Sequence, residues 1–151
     1  MALSRGSGPE VYFDFNSNKA CILLPSIPKW PSKGWTFYTW IRVESYTNPM
    51  LKGIQYEPRI FSFLTSEGFG MEAYFDSKAQ LTIMSSLSNG KQGVFVFDGC
   101  HLTENKWYFI TFVHTKPRIG QSEIKLFIDG ELKQKAPLKY PQLSNVVILI
   151  V

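Results

Sequence analysis

Two runs constrain this chain more than any others. Residues 106–115 read Lys-Trp-Tyr-Phe-Ile-Thr-Phe-Val-His-Thr, and residues 123–133 read Glu-Ile-Lys-Leu-Phe-Ile-Asp-Gly-Glu-Leu-Lys. Both are rich in β-branched and aromatic residues, which suit a pleated, half-buried surface. A Trp opens the first. The second closes on Asp129-Gly130, a pair that accepts the positive φ angles of a tight hairpin. Two such strands belong in the middle of a large antiparallel sandwich. They point to a recognition surface and away from an active site.

The rest of the chain has the same short-strand rhythm. Residues 11–15 alternate apolar and polar and are predicted to form a strand. Residues 20–24 are predicted as a second, closed by Pro25. Pro25, Pro28 and Pro31 then frame Lys29-Trp30 in what reads as an ordered connector, with Trp30 as its packing anchor. Residues 35–43 form the first long strand. Trp35, Phe37, Thr39, Ile41 and Val43 share one face, and Thr36, Tyr38, Trp40 and Arg42 the other. Bulky groups on both faces predict a central strand.

A polar loop over residues 44–58 follows, and long loops on a rigid sandwich often carry recognition. Further strands are predicted over 59–65, 69–75, 80–87, 93–97 and 146–151, with residues 132–141 looser. Asn89-Gly90 marks another hairpin. About ten strands separated by turn signals are what a sandwich or barrel requires. One domain is expected over residues 9–151, after a flexible N-terminus over residues 1–8.

Composition excludes several classes. Hydrophobic residues make up 44% and charged residues 19%, too apolar for disorder. Net charge is +4, but Lys52, Arg59, Lys91, Arg118 and Lys133 are scattered, so no nucleic-acid track is expected. No apolar run reaches the length of a membrane span, and residues 1–8 lack the apolar core of a secretion signal. Cys21 and Cys100 allow one disulfide at most and would equally serve as buried thiols.

Catalytic patterns are sparse. His114 shares a strand face with Ile110 and Phe112 and is expected to be a satisfied, half-buried residue. His101 sits beside Cys100, but two more ligands at suitable spacing are missing, so no metal or other cofactor is expected. Glu72 and Asp76 come closest to the carboxylate pair of a sandwich glycosidase. No third acid follows them, and both read more simply as edge or turn acids. No catalytic residue is assigned. Most aromatics are expected in the core. Tyr46 and Tyr56, in the long loop, are the candidate binding residues.

Leu24-Pro25-Ser26-Ile27-Pro28-Lys29-Trp30-Pro31 followed by Gly34-Trp35-Thr36-Phe37-Tyr38-Thr39-Trp40 resembles a known family. It is similar to the concanavalin A-like lectin/glucanase, or laminin-G-like, domain of BEACH proteins of the neurobeachin and neurobeachin-like group. Phe61-Ser62-Phe63-Leu64-Thr65-Ser66 with Gly68 and Gly70, Trp107 with Val113-His114, and Leu126-Phe127-Ile128-Asp129-Gly130 extend the match over about residues 10–145.

The resemblance implies an all-β, antiparallel jelly roll in a large intracellular scaffold of membrane trafficking, cytoplasmic and peripheral to vesicles. It implies no catalytic residues. The partner would be a protein or an oligosaccharide, with no nucleic acid and no direct membrane insertion, and with dependence on neighbouring domains. It also implies further strands beyond Pro141, one containing Ile-Gly and one reading Phe-x-Gly-x-x-Gly. Their absence from residues 146–151 predicts an exposed sheet edge and apolar surface.

The sequence is therefore read as a non-enzymatic interaction module. One alternative is a secreted laminin-G-like or pentraxin-like glycan binder, which requires calcium and a Cys21–Cys100 bond. The other is a glycosidase working through Glu72 or Asp76.

Overall fold

A computed structural model describes residues 8–15, 20–46, 57–87 and 89–150. Among these residues there is no helix, and so none long and apolar enough to cross a membrane. The described strands are β1 (Ile22–Lys29), β2 (Gly34–Arg42), β3 (Arg59–Leu64), β4 (Gly70–Phe75), β5 (Leu81–Ser86), β6 (Gln92–Val96), β7 (Trp107–Thr115), β8 (Glu123–Ile128), β9 (Glu131–Pro137) and β10 (Ser144–Ile150).

They form two antiparallel sheets. One has six strands in the order β1-β10-β3-β4-β5-β6, and the other has four in the order β2-β7-β8-β9. This is the expected jelly-roll sandwich. β7 and β8 take the two central positions of the smaller sheet, where their alternation places them. Ile110, Phe112, Ile124 and Leu126 point inward and are fully buried.

The core lies between the sheets. Phe61 and Phe63 of β3 stack at 4.2 Å and meet Trp35 and Phe37 of β2 across the gap, at 4.7 to 5.9 Å. Met71, Ala73, Leu81 and Ile83 continue the layer without solvent exposure. Burying a side chain of the Leu, Phe or Met size contributes about 1.5–3 kcal/mol, so this layer dominates stability. Trp30 is 5% exposed and packs on Trp35 and Phe63, as its anchoring role requires.

Two glycine positions are set by backbone geometry. In the β8–β9 hairpin, Ile128 pairs with Glu131 and both intervening residues have positive φ, Asp129 at 53° and Gly130 at 82°. That is a two-residue type I′ turn, the one Asp-Gly suits. Gly70 has φ of 153°, and a Cβ there would lie 1.9 Å from the Phe63 carbonyl oxygen.

Several predicted boundaries differ. Residues 11–15 belong to no strand; Val11 and Phe13 stand 86% and 74% exposed. β1 does not close at Pro25 but runs through Pro25 and Pro28, with a register shift between Leu24 and Ile27. It can do so because it is an edge strand, where a missing N–H can face outward. Of residues 132–141, predicted to be loose, those through Pro137 belong to β9 (Glu131–Pro137), with a register shift between Leu126 and Phe127 of its partner.

β2 is an edge strand, not a central one. Its second bulky face is displayed, not covered: Tyr38 is 66% exposed. His114, expected to be half-buried, is fully enclosed. Its Nε2 lies 3.0 Å from the Leu138 carbonyl oxygen and its Nδ1 3.3 Å from Met71 Sδ. β10 is paired on both sides, to β1 and to β3.

Candidate functional site

Strand alternation builds the most chemically distinctive surface, on the outer face of the four-stranded sheet. The register aligns Tyr38 with Thr111, Trp40 with Phe109, and Arg42 with Trp107. Thr111 then pairs with Phe127, and Phe127 with Leu132, which is 50% exposed. The Phe109 ring sits 5.9 Å from Tyr38 and 5.4 Å from Trp40. These side chains oppose the core-facing set on the same strands, so they form an aromatic platform toward solvent. Contiguous apolar surface with a polar rim is a common mark of an interaction site.

At one end the platform drops into a cleft of about 920 Å³. Trp40, Trp107 and Phe109 contribute its aromatic surface. Residues 99–102, Asn105 and Lys106 form one wall, and Asp129, Glu131 and Lys133 the other. The walls are braced by specific bonds. The Phe109 N–H donates to Asp129 Oδ1 at 2.9 Å, while the Asp129 N–H donates to the Phe109 carbonyl at 2.8 Å. The Asn105 N–H donates to the Val43 carbonyl at 2.7 Å, tying the β6–β7 loop to the end of β2. The Lys133 ammonium donates to Glu131 Oε2 at 2.8 Å. Lys106 Nζ lies 5.0 Å from the centre of the Tyr108 ring.

Arg42 closes the platform's lower edge. Its guanidinium is 5.4 Å from the ring centres of both Tyr12 and Trp107, and it pairs with Glu44. Tyr12 meets Trp107 edge-on at 5.2 Å. Cation–π contacts of this kind are worth about 0.5–1 kcal/mol at exposed sites.

Tyr46 stands behind the cleft wall. Its hydroxyl donates to the Leu102 carbonyl at 2.8 Å, and its N–H donates to Glu104 Oε1 at 3.0 Å. Its ring packs 5.1 Å from Phe75 and 5.2 Å from His101. Burial pushes the phenol up to about 12, so it remains a hydrogen-bond donor throughout the neutral range. Tyr56 and Lys52 lie outside the described residues.

The residues considered for catalysis are engaged elsewhere. Glu72 is 7% exposed on the outer face of the six-stranded sheet; its Oε1 takes hydrogen bonds from Arg59 Nε at 2.9 Å and Ser62 Oγ at 2.7 Å. Asp76 Oδ1 accepts the Lys78 and Gln80 N–H groups at 2.9 Å each, fixing the β4–β5 turn. Those two acids therefore face different partners. His114 is in the core, and His101 is exposed on the cleft wall. Cys21 and Cys100 are both free; Cys21 is exposed and Cys100 buried, with burial raising the Cys100 thiol. The described residues gather no set of three or more His, Cys, Asp or Glu suited to a metal ion.

The platform is not among the sequence expectations, which place most aromatics in the core. A signal for it is present. Thr36, Thr111, Thr115 and Lys125 alternate with Tyr38, Trp107, Phe109 and Phe127 on one face, and that polar company marks the solvent side.

Comparison with known proteins agrees with this architecture. Residues 16–149 match the family model described as the concanavalin A-like lectin/glucanases superfamily. A putative neurobeachin homolog of Caenorhabditis elegans is 32% identical over 133 residues, covering 87% of this chain and 5% of the relative. The BEACH domain-containing protein lvsE of Dictyostelium discoideum is 24% identical over 135 residues, 89% of this chain and 6% of that protein. The chain thus spans about one twentieth of the length of the relatives it matches.

Among solved structures, the receptor binding domain of botulinum neurotoxin type G superposes with a TM-score of 0.60 at 16% identity. That superposition covers 87% of this chain and 36% of that one. An endo-β-1,4-glucuronan lyase from Trichoderma reesei superposes with a TM-score of 0.59 at 8% identity, over 87% and 60%. At such identities the likeness is one of fold.

Proposed function

The chain belongs to the concanavalin A-like lectin/glucanases superfamily, and from that premise we propose that it is a non-enzymatic interaction module of a large BEACH-type scaffold protein in membrane trafficking. The module binds a protein partner or an oligosaccharide on the outer face of its four-stranded sheet. The observation that carries this reading is the aromatic platform of Tyr38, Trp40 and Phe109 leading into the cleft beside Trp107. Flat aromatic faces stack on the apolar side of a sugar ring or on a partner's side chains. The rim supplies the amide of Asn105, the carboxylates of Asp129 and Glu131, and the ammonium groups of Lys106 and Lys133 for orientation.

Tyr46 contributes by holding the wall at Leu102 and His101 in place, and Tyr56 of the same loop by adding contact area. The relatives' names, a putative neurobeachin homolog and a BEACH domain-containing protein, support a BEACH-type parent chain. The domain acts in the cytoplasm, at the periphery of vesicle membranes.

A polysaccharide-cleaving reading has a fold neighbour in the glucuronan lyase. Its weakness is that Glu72 is held by Arg59 and Ser62 and Asp76 by turn amides, leaving neither carboxylate aimed at a substrate.

Indole N–H signals of the four tryptophans test the binding face. On titration with a glycan or peptide that binds the domain, Trp40 and Trp107 shift, while Trp30 and Trp35, inside the sandwich, do not. Shifts confined to Met84, Val94 and Val96, on the outer face of the six-stranded sheet, would overturn the assignment.

A further inference from the structure

Strand register sorts the charged side chains between the two ends of the sandwich. Lys29 pairs with Ser144, Gly34 with Thr115, Leu64 with Gly70, Ser86 with Gln92, and Glu123 with both Thr115 and Pro137. The connections β1–β2, β3–β4, β5–β6, β7–β8 and β9–β10 therefore share one end. Lys29, Lys33, Lys91, Lys116, Arg118 and Lys139 lie there, against Glu67 and Glu123. The loops of the opposite end have the reverse balance. Among the described residues they carry Glu44, Glu57, Asp76, Asp98, Glu104 and Asp129, against Lys78 and Lys106.

Hydrogen bonds draw the basic connections together. The Lys116 N–H donates to the Lys33 carbonyl at 2.7 Å, and the Tyr140 hydroxyl to the Pro31 carbonyl at 2.7 Å. The Ser85 hydroxyl donates to the Lys139 carbonyl at 2.8 Å. Lys116 Nζ lies 5.8 Å from the centre of the Tyr140 ring.

The cations of this end also differ from the others in their pairing. Arg42, Arg59, Lys125, Lys133 and Lys135 each have a carboxylate partner, and Lys125 and Lys135 take up Glu123. Among the described residues, none of the six cations at the basic end is in an ion pair. Their field is directed at solvent.

Ile119 stands within that field, in the run Lys116-Pro117-Arg118-Ile119-Gly120. It is 93% exposed, more than any other large apolar side chain described. The adjoining Gly120 has φ of 98°, and a Cβ there would meet nothing within 4 Å, so no neighbour packs on the loop at that point. β2 and β7 separate this loop from the open edge of the smaller sheet, so a further strand added at that edge would leave Ile119 uncovered.

We infer that the basic end is a contact surface for an anionic lipid bilayer, with its cations over the headgroups and Ile119 reaching the acyl boundary. Charge complementarity selects an anionic surface. An isolated apolar side chain among cations is the amphipathic pattern of interfacial binding. Such contact is peripheral and spans nothing. It deepens, and rests on, the peripheral placement proposed above. It is independent of the aromatic cleft, which lies at the opposite end beside Arg42 and Trp107.

Flotation of the full chain with vesicles of phosphatidylcholine alone, or with about 30% phosphatidylserine added, tests the surface. The anionic vesicles are expected to bind at least about tenfold more tightly, and to lose the chain as salt rises from ~0.05 to ~0.5 M. Each cation near such a surface strengthens binding about fivefold, so Lys33→Gln with Arg118→Gln is expected to weaken it about 25-fold. Ile119→Ser is expected to weaken it about tenfold, and Ile119→Leu to retain it. Lys78→Gln, at the opposite end, leaves it unchanged. All four positions are exposed, so the variants are expected to keep the wild-type melting profile.

Equal binding to both vesicle types, indifference to Ile119→Ser, or polyglutamate bound as tightly as the anionic vesicles would overturn the inference. Anionic binding that survives both the charge and the Ile119 variants would overturn it while keeping the peripheral placement, through another face. No vesicle binding at all would overturn it and leave that placement to neighbouring domains of the parent chain.

Discussion

His114 makes folding pH-dependent, with a size and sign that follow from its surroundings. The ring is fully buried among Met71, Trp35 and Tyr140, with Nε2 against the Leu138 carbonyl. A carbonyl only accepts, so Nε2 carries the proton and Nδ1 is bare toward the sulfur. Burial, partly opposed by the Leu138 hydrogen bond, lowers this imidazole from its usual 6.5 to about 4.

The unfolded chain thus binds the proton more readily than the folded one. Stability from this group is fully present above pH 6.5 and is lost as pH falls toward 4. The gap corresponds to about 3 kcal/mol in all, of which about 2.5 kcal/mol is lost between pH 7 and pH 4.5. Urea unfolding followed by tryptophan fluorescence measures it. His114→Gln serves as the reference, because an amide can still donate to Leu138 but does not titrate. The stability difference between wild type and this variant is expected to shift by about 2.5 kcal/mol over that range. Parallel pH profiles would refute the reasoning, as would an imidazolium signal for His114 at pH 6 in nitrogen-15 spectra.

Other predictions follow from single contacts. Gly70→Ala places a Cβ 1.9 Å from the Phe63 carbonyl oxygen and is expected to cost at least about 3 kcal/mol, lowering Tm by roughly 10 °C. Gly120→Ala, with nothing within 4 Å, is expected to cost only about 1 kcal/mol in the same melt. Glu72→Ala leaves Arg59 and Ser62 without their shared acceptor and should destabilise by about 2–3 kcal/mol in urea without altering ligand affinity. A catalytic role would instead show as lost turnover with stability unchanged. Tyr46→Phe removes the bond to Leu102 and should cost about 1 kcal/mol. It should also raise the dissociation rate of any ligand held in the cleft, as surface plasmon resonance would show.

The sandwich was legible because its two central strands, β7 and β8, alternate cleanly and end in a turn whose two residues accept positive φ. What escaped the sequence depended on position within a sheet. Pro25 and Pro28 read as strand breakers because proline excludes a central strand, and nothing local signals that β1 lies at an edge. β2 read as central because both its faces are bulky, and periodicity separates two faces without saying which is covered. Tyr38 and Trp40 therefore fall among the aromatics of which most are expected in the core, although they lie outside it. Tyr46 was singled out as a loop aromatic, but its contacts with Leu102, Glu104 and Phe75 span 29 to 58 residues of sequence, a separation that local patterns do not encode.

The most direct measurement is a glycan array, with and without calcium, run beside a pull-down from cytosol, on the wild-type chain and on the Tyr38→Ala, Trp40→Ala double variant. A saturable ligand is expected for the wild type in one of the two assays, and its loss in the double variant with the melting profile preserved. Retention of every ligand by the double variant would contradict recognition through the outer face of the four-stranded sheet.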